Sequence, residues 1–563
     1  MKLWKRMGAA ALAGALALSM VACGGGNAAT SGTSTAASSS GAAAATGSNV
    51  LNVMTEVEVA SLDPQLATDG TSFEVIANYT DGLMQMDADG QPVPAIAESY
   101  EVSEDGCTYT FHLREDAKWS NGDPVTANDF VFAWQRAADP ATASEYSYMM
   151  SDIGQIKNAA EIIAGEMDKS ELGVTAVDEK TLQVELVVPV PYFLNLMYFP
   201  TFYPVNQAFY EGLAEGTFGT SPDTVLSNGA FILDSYEPAA LSFSLVKNPD
   251  YYDADKVQLD GLNYQVIKDS QQAFMSYQNG DLDIVKLSGD QVDQVQGDPE
   301  LSVHGAGYLW YLTLNMDGVP ALANQNLRLA LTHAIDRTSI VEDVVKDGSL
   351  ATYTAVPPQF ATGPDGSDFS ADQTMFQDVC SDDPAKAAEY LEAAKAELGQ
   401  DTFTFQLLVE DTTESQNVAA VIKEQVETNL PGVTMEIKVE PKKQRVEDIQ
   451  EGNYEVCLTR WGPDYADPMT YLNMWITDNN NNYGKWSNPD YDAIIADCTT
   501  GQYVSDAAAR WQALYDAEKI IMDEAVIVPV YTKADACMIK SNVTGTEFHP
   551  VALNRVFKNT AKG

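Results

Sequence analysis

Apolar residues recur along this chain with two different spacings, and each spacing predicts its own kind of element. Alternation at every second position indicates strands, which we predict at residues 52–55, 109–113, 181–186, 241–245 and 403–408. A helical spacing of apolar residues predicts helices at residues 326–335, 384–398, 417–428 and 507–522. Pro384 and Gly399 bracket the second of these helices as start and stop signals. Strands that alternate with helices predict an α/β protein with large mixed sheets.

The first apolar run of the chain is of a different kind. It covers residues 7–22 and follows the basic residues Lys2, Lys5 and Arg6. A basic start followed by a short apolar stretch that ends in small residues is typical of an export signal. The run is also shorter than the roughly 20 apolar residues of a membrane-spanning helix. We therefore predict a signal peptide at residues 1–22 and a mature protein outside the cytoplasm.

Cys23 follows this run directly, in the segment Met20-Val21-Ala22-Cys23. The segment resembles a bacterial lipobox, with Met20 where Leu is usual, and cleavage before Cys23 would leave a lipidated cysteine at the mature N-terminus. Two or more acyl chains hold a protein stably on a membrane. Residues 23–47, rich in Gly, Ala, Ser and Thr, are typical of a flexible tether. An ordinary signal peptide with an incidental cysteine is the alternative.

Composition is typical of a packed globular protein after the tether. Hydrophobic residues make up 45% and aromatic residues 9% of the chain, as in ordinary folded domains, and the length allows about two to four domains. No second apolar run approaches the length of a membrane span. The formal net charge of -49 argues against nucleic acid and against anionic lipid as partners.

The remaining cysteines are scattered singly along the chain, at Cys107, Cys380, Cys457, Cys498 and Cys537. There is no CxxC pair, and an odd number cannot all pair within one chain. Spacings typical of a metal site are also absent. We expect most of these cysteines to be small buried apolar residues. At most two disulfides are possible and their presence stays open, and we predict no metal and no cofactor.

One longer segment carries a family resemblance. Residues 117–130, which continue into Trp134-Gln135-Arg136, resemble the hallmark of oligopeptide-binding proteins, the solute-binding proteins of ABC peptide importers. Further blocks match this family in order along the chain, at residues 62–64, 191–193, 227–231, 247–251, 278–283, 327–331, 334–337, 464–468 and 527–531. Together the blocks extend the resemblance from about residue 51 to about residue 556.

The resemblance implies an α/β, periplasmic-binding-protein-like (type II) fold with two main lobes, a hinge and an extra inserted domain. Domain I would comprise residues 48–80, 207–307 and 531–563, domain II would be an insertion at residues 81–206, and domain III would comprise residues 308–530. Two crossovers, near Gly307 and near Tyr531, would form the hinge. Ligand would lie between domains I and III, and hinge closure around it would give an importer one recognisable loaded state.

Asp464 is the candidate that the resemblance favours most. An extended peptide always offers a backbone and an α-ammonium, and an ammonium needs a carboxylate partner. Asp464 matches the family position that takes this role, where a charge-assisted hydrogen bond would be short and strong. Considered without the resemblance, Asp464 is better explained as the cap of a turn before Tyr465 and Pro468.

Further ligand contacts are implied on each of the three domains. Trp461 matches a pocket tryptophan, with core packing as the alternative, and Tyr146 aligns with a ligand-contacting tyrosine of domain II. The lower-ranked candidates fall in two groups. The family offers a strand edge and an acidic contact at Thr68, Asp69 and Gly70, and the start of domain III supplies Tyr308 and Tyr311. When the backbone of a peptide pairs with a strand edge, it gains affinity that does not depend on the side chains of the peptide. Tyr308 and Tyr311 could equally belong to the core.

Several positions depart from the pattern of the family. Gly462 stands where some members have a disulfide-forming cysteine, so that bridge should be absent. Leu458 replaces an arginine, and Arg460 lies two residues later. Lys442 lies near the place of a second pocket tryptophan, and Ser415 near that of a histidine that helps to hold the ligand carboxylate. These departures leave peptide length and carboxylate recognition open.

Other ligands and roles also stay open. Members of the wider family bind non-peptide solutes, so an oligosaccharide or a nickel chelate is an alternative, and so is a signalling peptide held by a surface receptor. An enzyme is not indicated, because HExxH, GxSxG and P-loop motifs are absent. We predict a monomeric, lipid-anchored receptor on the extracytoplasmic face of the bacterial cell membrane. It would capture oligopeptides and deliver them to the permease and ATPase subunits of an ABC importer.

Overall fold

The structure of this protein is a computed structural model, and it describes residues 49–88 and 90–563. The predicted signal peptide, the tether and Cys23 lie outside the described residues. In chain order, the strands are β1 (Val50–Thr55), β2 (Met84–Met86), β3 (Pro92–Pro94), β4 (Ala97–Val102), β5 (Thr108–Leu113), β6 (Val174–Asp178), β7 (Thr181–Glu185), β8 (Phe231–Ser235), β9 (Ser242–Lys247), β10 (Gly261–Val266), β11 (Ile284–Lys286), β12 (Leu301–Leu314), β13 (Leu350–Ala351), β14 (Phe403–Glu410), β15 (Val433–Glu440), β16 (Val456–Trp461), β17 (Ile527–Ile539), β18 (Val543–Thr544), β19 (Glu547–Phe548), β20 (Arg555–Val556) and β21 (Ala561–Lys562).

The α-helices alternate with these strands. They are α1 (Gly70–Tyr79), α2 (Ala127–Ala138), α3 (Ala159–Ile163), α4 (Phe193–Leu196), α5 (Gln207–Gly212), α6 (Ser270–Asn279), α7 (Gly289–Gln294), α8 (Gln325–His333), α9 (Arg337–Ser339), α10 (Pro384–Leu398), α11 (Thr413–Asn429), α12 (Lys442–Glu451), α13 (Met469–Leu472), α14 (Pro489–Thr499) and α15 (Ala507–Asp523). Short 3-10 turns lie at Pro140–Thr142, Lys169–Glu171, Pro200–Phe202, Pro222–Thr224, Pro320–Ala323 and Asn473–Trp475, and π turns at Met149–Ile153 and Ile340–Val345.

Three larger sheets organise the described residues. The first has the strand order β1-β10-β9-β8, with β1 parallel to β10 and antiparallel pairing elsewhere. The second is the antiparallel sheet β4-β5-β7-β6. The third is mixed, with the order β11-β17-β12-β16-β14-β15, and β13 also pairs with β17. In it, β14 lies parallel to both β15 and β16.

The strands can be compared with the predicted division into domains. Every strand of the first sheet falls in segments assigned above to domain I, and every strand of the second falls in the predicted domain II. In the third sheet, β14, β15 and β16 fall in the predicted domain III, whereas the long strands β12 and β17 run through Gly307 and Tyr531. The domain boundaries themselves remain a prediction.

Gly307 occupies a special place on β12. Its φ is +69°, and a Cβ built on it would collide with the carbonyl oxygen of Pro550. The pairing of β12 with β17 shifts register between Gly305 and Leu309, and such irregularities bend a strand locally. Glycine is therefore required where the chain passes one of the predicted crossovers.

The predicted strands and helices are confirmed, with shifts of a few residues at their ends. The helix predicted at residues 384–398 forms as α10, because Asp383 accepts hydrogen bonds from the Ala385 and Lys386 amides and Gly399 takes a φ of +64° beyond its end. The helix predicted at residues 417–428 begins earlier, as α11. The Thr412 side chain caps it through the Ser415 amide, a signal that apolar spacing does not contain.

The core under the third sheet is built by helices α8, α10 and α11. Leu331, Leu391 and Ile422 from these helices pack with Leu407 and Leu458 from the sheet, and all five are buried. Leu458 therefore belongs to the core. The apolar residues whose spacing predicted these helices form the faces that the helices bury here.

Several residues of the family-like blocks form buried ion pairs. Arg136 contacts both carboxylate oxygens of Asp63, at 2.7 Å for the Nη1–Oδ1 pair, and Nη1 also donates to Gln65. Arg510 holds Asp467 through two 2.8 Å bonds. Removing one partner of a buried ion pair leaves an unpaired buried charge, which strongly destabilises the folded protein. Each of these two pairs therefore ties together distant segments of the chain.

The five cysteines at positions 107 to 537 are free, and all except Cys107 are buried. The prediction that most of these cysteines are buried is confirmed, and their pairing, which the sequence left open, is decided by the structure. Among residues 49–88 and 90–563, no helix has the length and apolar character that crossing a membrane requires.

Candidate functional site

Asp464 lies three residues beyond the end of β16, in the turn that leads to α13. Its Oδ2 accepts a 2.9 Å hydrogen bond from the hydroxyl of Tyr148, a residue of the predicted domain II. Its backbone amide donates to Oγ1 of Thr470 at 3.3 Å. The side chain is half-buried. The hydrogen bond from the backbone amide shows that Asp464 shapes a local turn. Its carboxylate instead contacts Tyr148, in the predicted domain II.

The carboxylate of Asp464 has no cationic partner in the part of the chain that the structure describes. Its surface is only partly covered, yet protein atoms crowd it closely enough that burial raises the pKa of Asp464 to about 6, against a smaller opposing effect of the Tyr148 hydrogen bond. A carboxylate without a counter-charge in such surroundings is costly for the folded protein. An added cation would find a partner here that the protein does not supply.

Tyrosines surround this carboxylate. Burial raises the pKa of Tyr146 and of Tyr148 above the ordinary range, and the charge on Asp464 adds to both rises. The same two causes act on Tyr471 and, together with Asp535, on Tyr308. The phenols remain neutral hydrogen-bond donors at any physiological pH, so Asp464 is the group here that carries charge.

Trp461 and Gly462 form the approach to Asp464 from β16. Trp461 is half-buried, and its indole Nε1 is buried with no hydrogen-bond partner among the described residues. A Cβ on Gly462 would collide with the ring of Tyr308. The absence of a side chain at position 462 therefore lets Tyr308 lie against the backbone, and no disulfide can form there.

The strand edge expected at residues 68–70 is wrong, because Thr68 and Asp69 precede helix α1 and Gly70 opens it. Thr68 is exposed, and Asp69 caps the helix by accepting bonds from the Ser72 amide at 3.0 Å and the Ser72 hydroxyl at 2.6 Å. The negative charge of Asp69 also contributes to the raised pKa of Tyr146. Asp69 and Gly70 therefore lie on the same side of the molecule as the surroundings of Asp464, although Asp69 already has a structural role.

Two other candidates are more deeply packed. Tyr311 is 1% exposed, and its ring meets Trp475 edge to face at 5.6 Å. Tyr146 packs between Phe73 at 5.5 Å and Phe199 at 5.3 Å. Packing of this kind limits what either ring offers to a ligand, and Tyr311 is closed to it in this conformation.

The basic residue nearest to this turn along β16 is already engaged. Arg460 donates to Oε1 of Glu410 at 2.7 Å, and its guanidinium lies 4.7 Å from the ring centroid of Trp310. Ser415 is 1% exposed. Lys442 is exposed to solvent. Desolvation by nearby protein atoms and the positive charge of Arg460 nevertheless lower the pKa of its ammonium group.

Tyr148 is the residue of this site that the sequence analysis missed. It lies two positions after Tyr146, in the same segment, and both are tyrosines. Only the folded arrangement shows that Tyr148, rather than its neighbour, donates to Asp464. Because the two tyrosines lie so close together in the sequence, both could have been predicted as residues of the site.

Comparisons with known proteins match this description. The model of the bacterial extracellular solute-binding proteins, family 5 (middle), matches residues 91–483. The dipeptide-binding protein of Lactococcus lactis subsp. cremoris (strain MG1363) is 34% identical over 509 residues, which cover 88% of this chain and 91% of that protein.

Solved structures agree with the family match. The substrate-binding domain of an oligopeptide ABC transporter from Bacillus anthracis str. Ames is 38% identical with a TM-score of 0.76, covering 91% of this chain and 98% of that one. Listeria monocytogenes OppA bound to peptide is 34% identical with a TM-score of 0.75, covering 92% and 99%. The fold is therefore the periplasmic-binding-protein-like fold of a solute-binding protein. The chain belongs to family 5 of the bacterial extracellular solute-binding proteins.

Proposed function

We propose that this protein is an oligopeptide receptor in which Asp464 receives the α-ammonium of the ligand. The observation that carries the proposal is a crowded carboxylate with no cationic partner among the described residues. A ligand ammonium would supply the missing charge, and its hydrogen bond to a carboxylate would be stronger than a neutral one. The relatives that are described as peptide-binding support the same ligand class.

Other groups around Asp464 complete the proposed contacts. Trp461 offers an unpaired indole donor, and Tyr148 positions the carboxylate. The exposed residue Thr68, just before α1, would offer its backbone to the peptide, and Tyr308 would form part of the wall of the site. Tyr311, at 1% exposure, is left out of the proposed contact set.

The test compares free and N-acetylated peptides by calorimetry near neutral pH. We expect Asp464→Asn to weaken binding of a free penta-alanine by at least about tenfold, which is 1.4 kcal/mol, and to leave the N-acetylated peptide nearly unaffected. Asp317→Asn is the matched control, because Asp317 is an exposed aspartate outside this site. Equal losses for both peptides would remove Asp464 from the ammonium role.

The ligand class can be tested without choosing a peptide beforehand. We would record native mass spectra of the protein from residue 48 onward, as purified from its expression host, and identify released ligands by denaturing mass spectrometry. A set of short intact peptides would support a broad receptor that captures without cleaving. A single sugar or metal complex, or one defined peptide, would favour the non-peptide or the signalling alternative.

The cellular role is part of the same proposal. The receptor would act as a monomer, held on the outer face of the membrane through lipid on Cys23, and would hand peptides to an ABC importer whose own subunits hydrolyse ATP. The motif before Cys23 and the extracellular assignment of the family support this role. Cys23→Ser should move the protein from the membrane fraction to the soluble fraction, and it should reduce uptake of labelled peptide by the cells.

A further inference from the structure

A cavity of about 180 Å³ lies beside the proposed peptide contacts of the predicted domain I. Its walls come from the end of β1, the first turn of α1 beginning at Gly70, residues 304–306 of β12, and Asp535 on β17. Because about 10–15 Å³ of such volume already holds one water molecule, the space is large enough for one long side chain. Asp464 and Asp535 both contribute to the raised pKa of Tyr308, after burial, so Tyr308 lies near both carboxylates.

The charges in the cavity wall do not balance. Lys286 is shared between Glu56 at 3.2 Å and Asp535 at 2.9 Å. Arg555 makes two 2.8 Å bonds to the two oxygens of Glu74. Three carboxylates against two cations leave one negative charge, and both cations are already committed to carboxylates. An incoming anion would find no free cation, whereas an incoming cation would restore neutrality.

Two polar atoms of the wall also lack hydrogen-bond partners among the described residues. Asp535 uses Oδ1 for Lys286, and no described donor reaches its Oδ2. His549 is 3% exposed, and its Nε2 has no partner, since Oε2 of Glu547 lies 3.9 Å away, beyond hydrogen-bond range. A carboxylate oxygen is an acceptor, whereas a lysine ammonium carries three donors and no acceptor, so the free oxygen of Asp535 suits a cationic side chain.

We propose that this cavity is a subsite that accepts a lysine or arginine side chain of the bound peptide and disfavours aspartate and glutamate. The inference rests on the proposed function, because Asp464 must hold the peptide N-terminus for a later side chain to reach the cavity. The cationic end takes the free oxygen of Asp535, and the apolar stem lies against the ring of Phe548, another residue of the wall. Rejection of acidic side chains follows from the unbalanced charge.

The test is a lysine scan of penta-alanine, with lysine, glutamine or glutamate placed in turn at the second to fifth positions. Affinities are measured by calorimetry at physiological salt for the unmodified protein and for Asp535→Asn. Asp255→Asn is the matched control, because Asp255 is exposed in the same predicted domain and its loss changes the net charge equally. Glu56→Gln is a second variant of the wall, and it keeps the test valid if Asp535→Asn fails to fold.

We expect one position at which lysine binds better than glutamine and glutamate worse. Asp535→Asn should lower the lysine-to-glutamate affinity ratio at that position by about fivefold, the factor that a partly exposed ion pair supplies. Asp255→Asn should leave the ratio unchanged, and both variants should still bind penta-alanine.

Two results would overturn the subsite and leave the peptide receptor intact. One is a lysine preference that is equal at every position, which would reflect only the net charge of -49. The other is an unchanged ratio in Asp535→Asn, with penta-alanine binding still dependent on Asp464. Failure of every peptide to bind would overturn the subsite and the proposed function together.

Discussion

The hydroxyl of Tyr148 donates a 2.9 Å hydrogen bond to Oδ2 of Asp464, although 316 positions separate the two residues along the chain. The bond connects the segment before the π turn at Met149–Ile153 with the turn that follows β16. Among the described residues, no group donates to Oδ1 of Asp464. One oxygen is therefore held in place by Tyr148, and the other is the one that the proposed function assigns to the ligand ammonium.

Tyr148→Phe tests whether this bond matters for binding. Hydrogen bonds to charged groups contribute about 1.5–3 kcal/mol, and Asp464 is half-buried, so we expect peptide affinity to fall by about tenfold. Because the bond lowers the pKa of Asp464, its loss should also move the acid limit of binding to higher pH. Calorimetric titrations across pH measure both effects.

Tyr146→Phe is the matched control for that variant. The Tyr146 hydroxyl makes no hydrogen bond to Asp464 in the structure, although the two residues are close enough to affect each other electrostatically. We expect a smaller loss and an unchanged acid limit. Equal effects of the two variants would mean that Tyr148 acts only through packing.

Peptide binding should weaken in acid, because the carboxylate must be ionised to receive an ammonium. Burial raises the pKa of Asp464 to about 6, so affinity should be nearly constant from that value up to about pH 8, where the α-amino group of the peptide begins to lose its own proton. Below it, affinity should fall by up to about tenfold per pH unit, since binding must first release a proton. An N-acetylated peptide serves as the control, and its binding curve should lack this acid limb.

Asp464→Asn should make the ligand-free protein more stable near neutral pH. A raised pKa means that the folded state holds the proton more tightly than the unfolded state, so stability falls as pH rises from the ordinary range of aspartate to about 6. The neutral amide of asparagine avoids this cost. We therefore expect the free energy of unfolding to rise by about 1 kcal/mol, a value reduced for the partial exposure of Asp464. Urea unfolding should show the gain above pH 6 and its disappearance in acid.

The same variant should lose the stabilisation that peptide gives to the unmodified protein. A ligand stabilises only in proportion to its binding to the folded state. A variant that is stabler when empty and unresponsive to peptide would be the signature of a site that trades stability for function. Reduced stability of the empty variant at neutral pH would contradict the assignment of Asp464 as an uncompensated charge.

Gly462→Ala should disturb the floor of the site. The new Cβ would collide with the ring of Tyr308, and overpacking of this kind costs about 1–3 kcal/mol. We expect lower stability in urea together with weaker peptide binding, and partial recovery of stability in the double variant Gly462→Ala/Tyr308→Ala. Gly212→Ala is the control, because a Cβ there meets nothing within 4 Å. No recovery in the double variant would locate the strain elsewhere.

Asp63→Asn tests the buried ion pair between the blocks at residues 62–64 and 134–136. Arg136 would lose its charged partner and keep Gln65 and the ring of Tyr210, and breaking a buried pair costs about 3–5 kcal/mol. Asp116→Asn breaks the exposed pair with Arg114, which is 3.2 Å long, and should cost less than about 1 kcal/mol. Comparable costs in denaturant unfolding would show that burial is not what makes the first pair important.

Prediction from the sequence succeeded where the physics is local. The extent of α10 follows from Asp383, Pro384 and Gly399, which are adjacent to the ends that they define. The ordered blocks led to the family that the comparisons confirm. Asp464 was singled out by its position in one such block, and its ligand role remains a prediction.

Prediction was weaker where two residues of one type compete for a role. Tyr146 was predicted as a ligand contact, which remains a prediction, whereas the bond from Tyr148 to Asp464 was not anticipated. Tyr308 and Tyr311 belong to the same strand, yet Tyr308 lies against Gly462 whereas Tyr311 is 1% exposed. Gly462 and Trp475, which contact the rings of Tyr308 and Tyr311, lie more than a hundred positions further along the chain, so no local pattern contains these contacts.

By itself, the sequence determined the export signal pattern, the kinds and approximate limits of the main strands and helices, and the family. These depend on side-chain spacing and capping, which neighbouring residues control. Only the tertiary structure decided that Arg460 is occupied by Glu410 and that Asp464 has Tyr148 but no cation among the described residues. Charge pairing and desolvation depend on distances between parts of the chain that folding alone brings together.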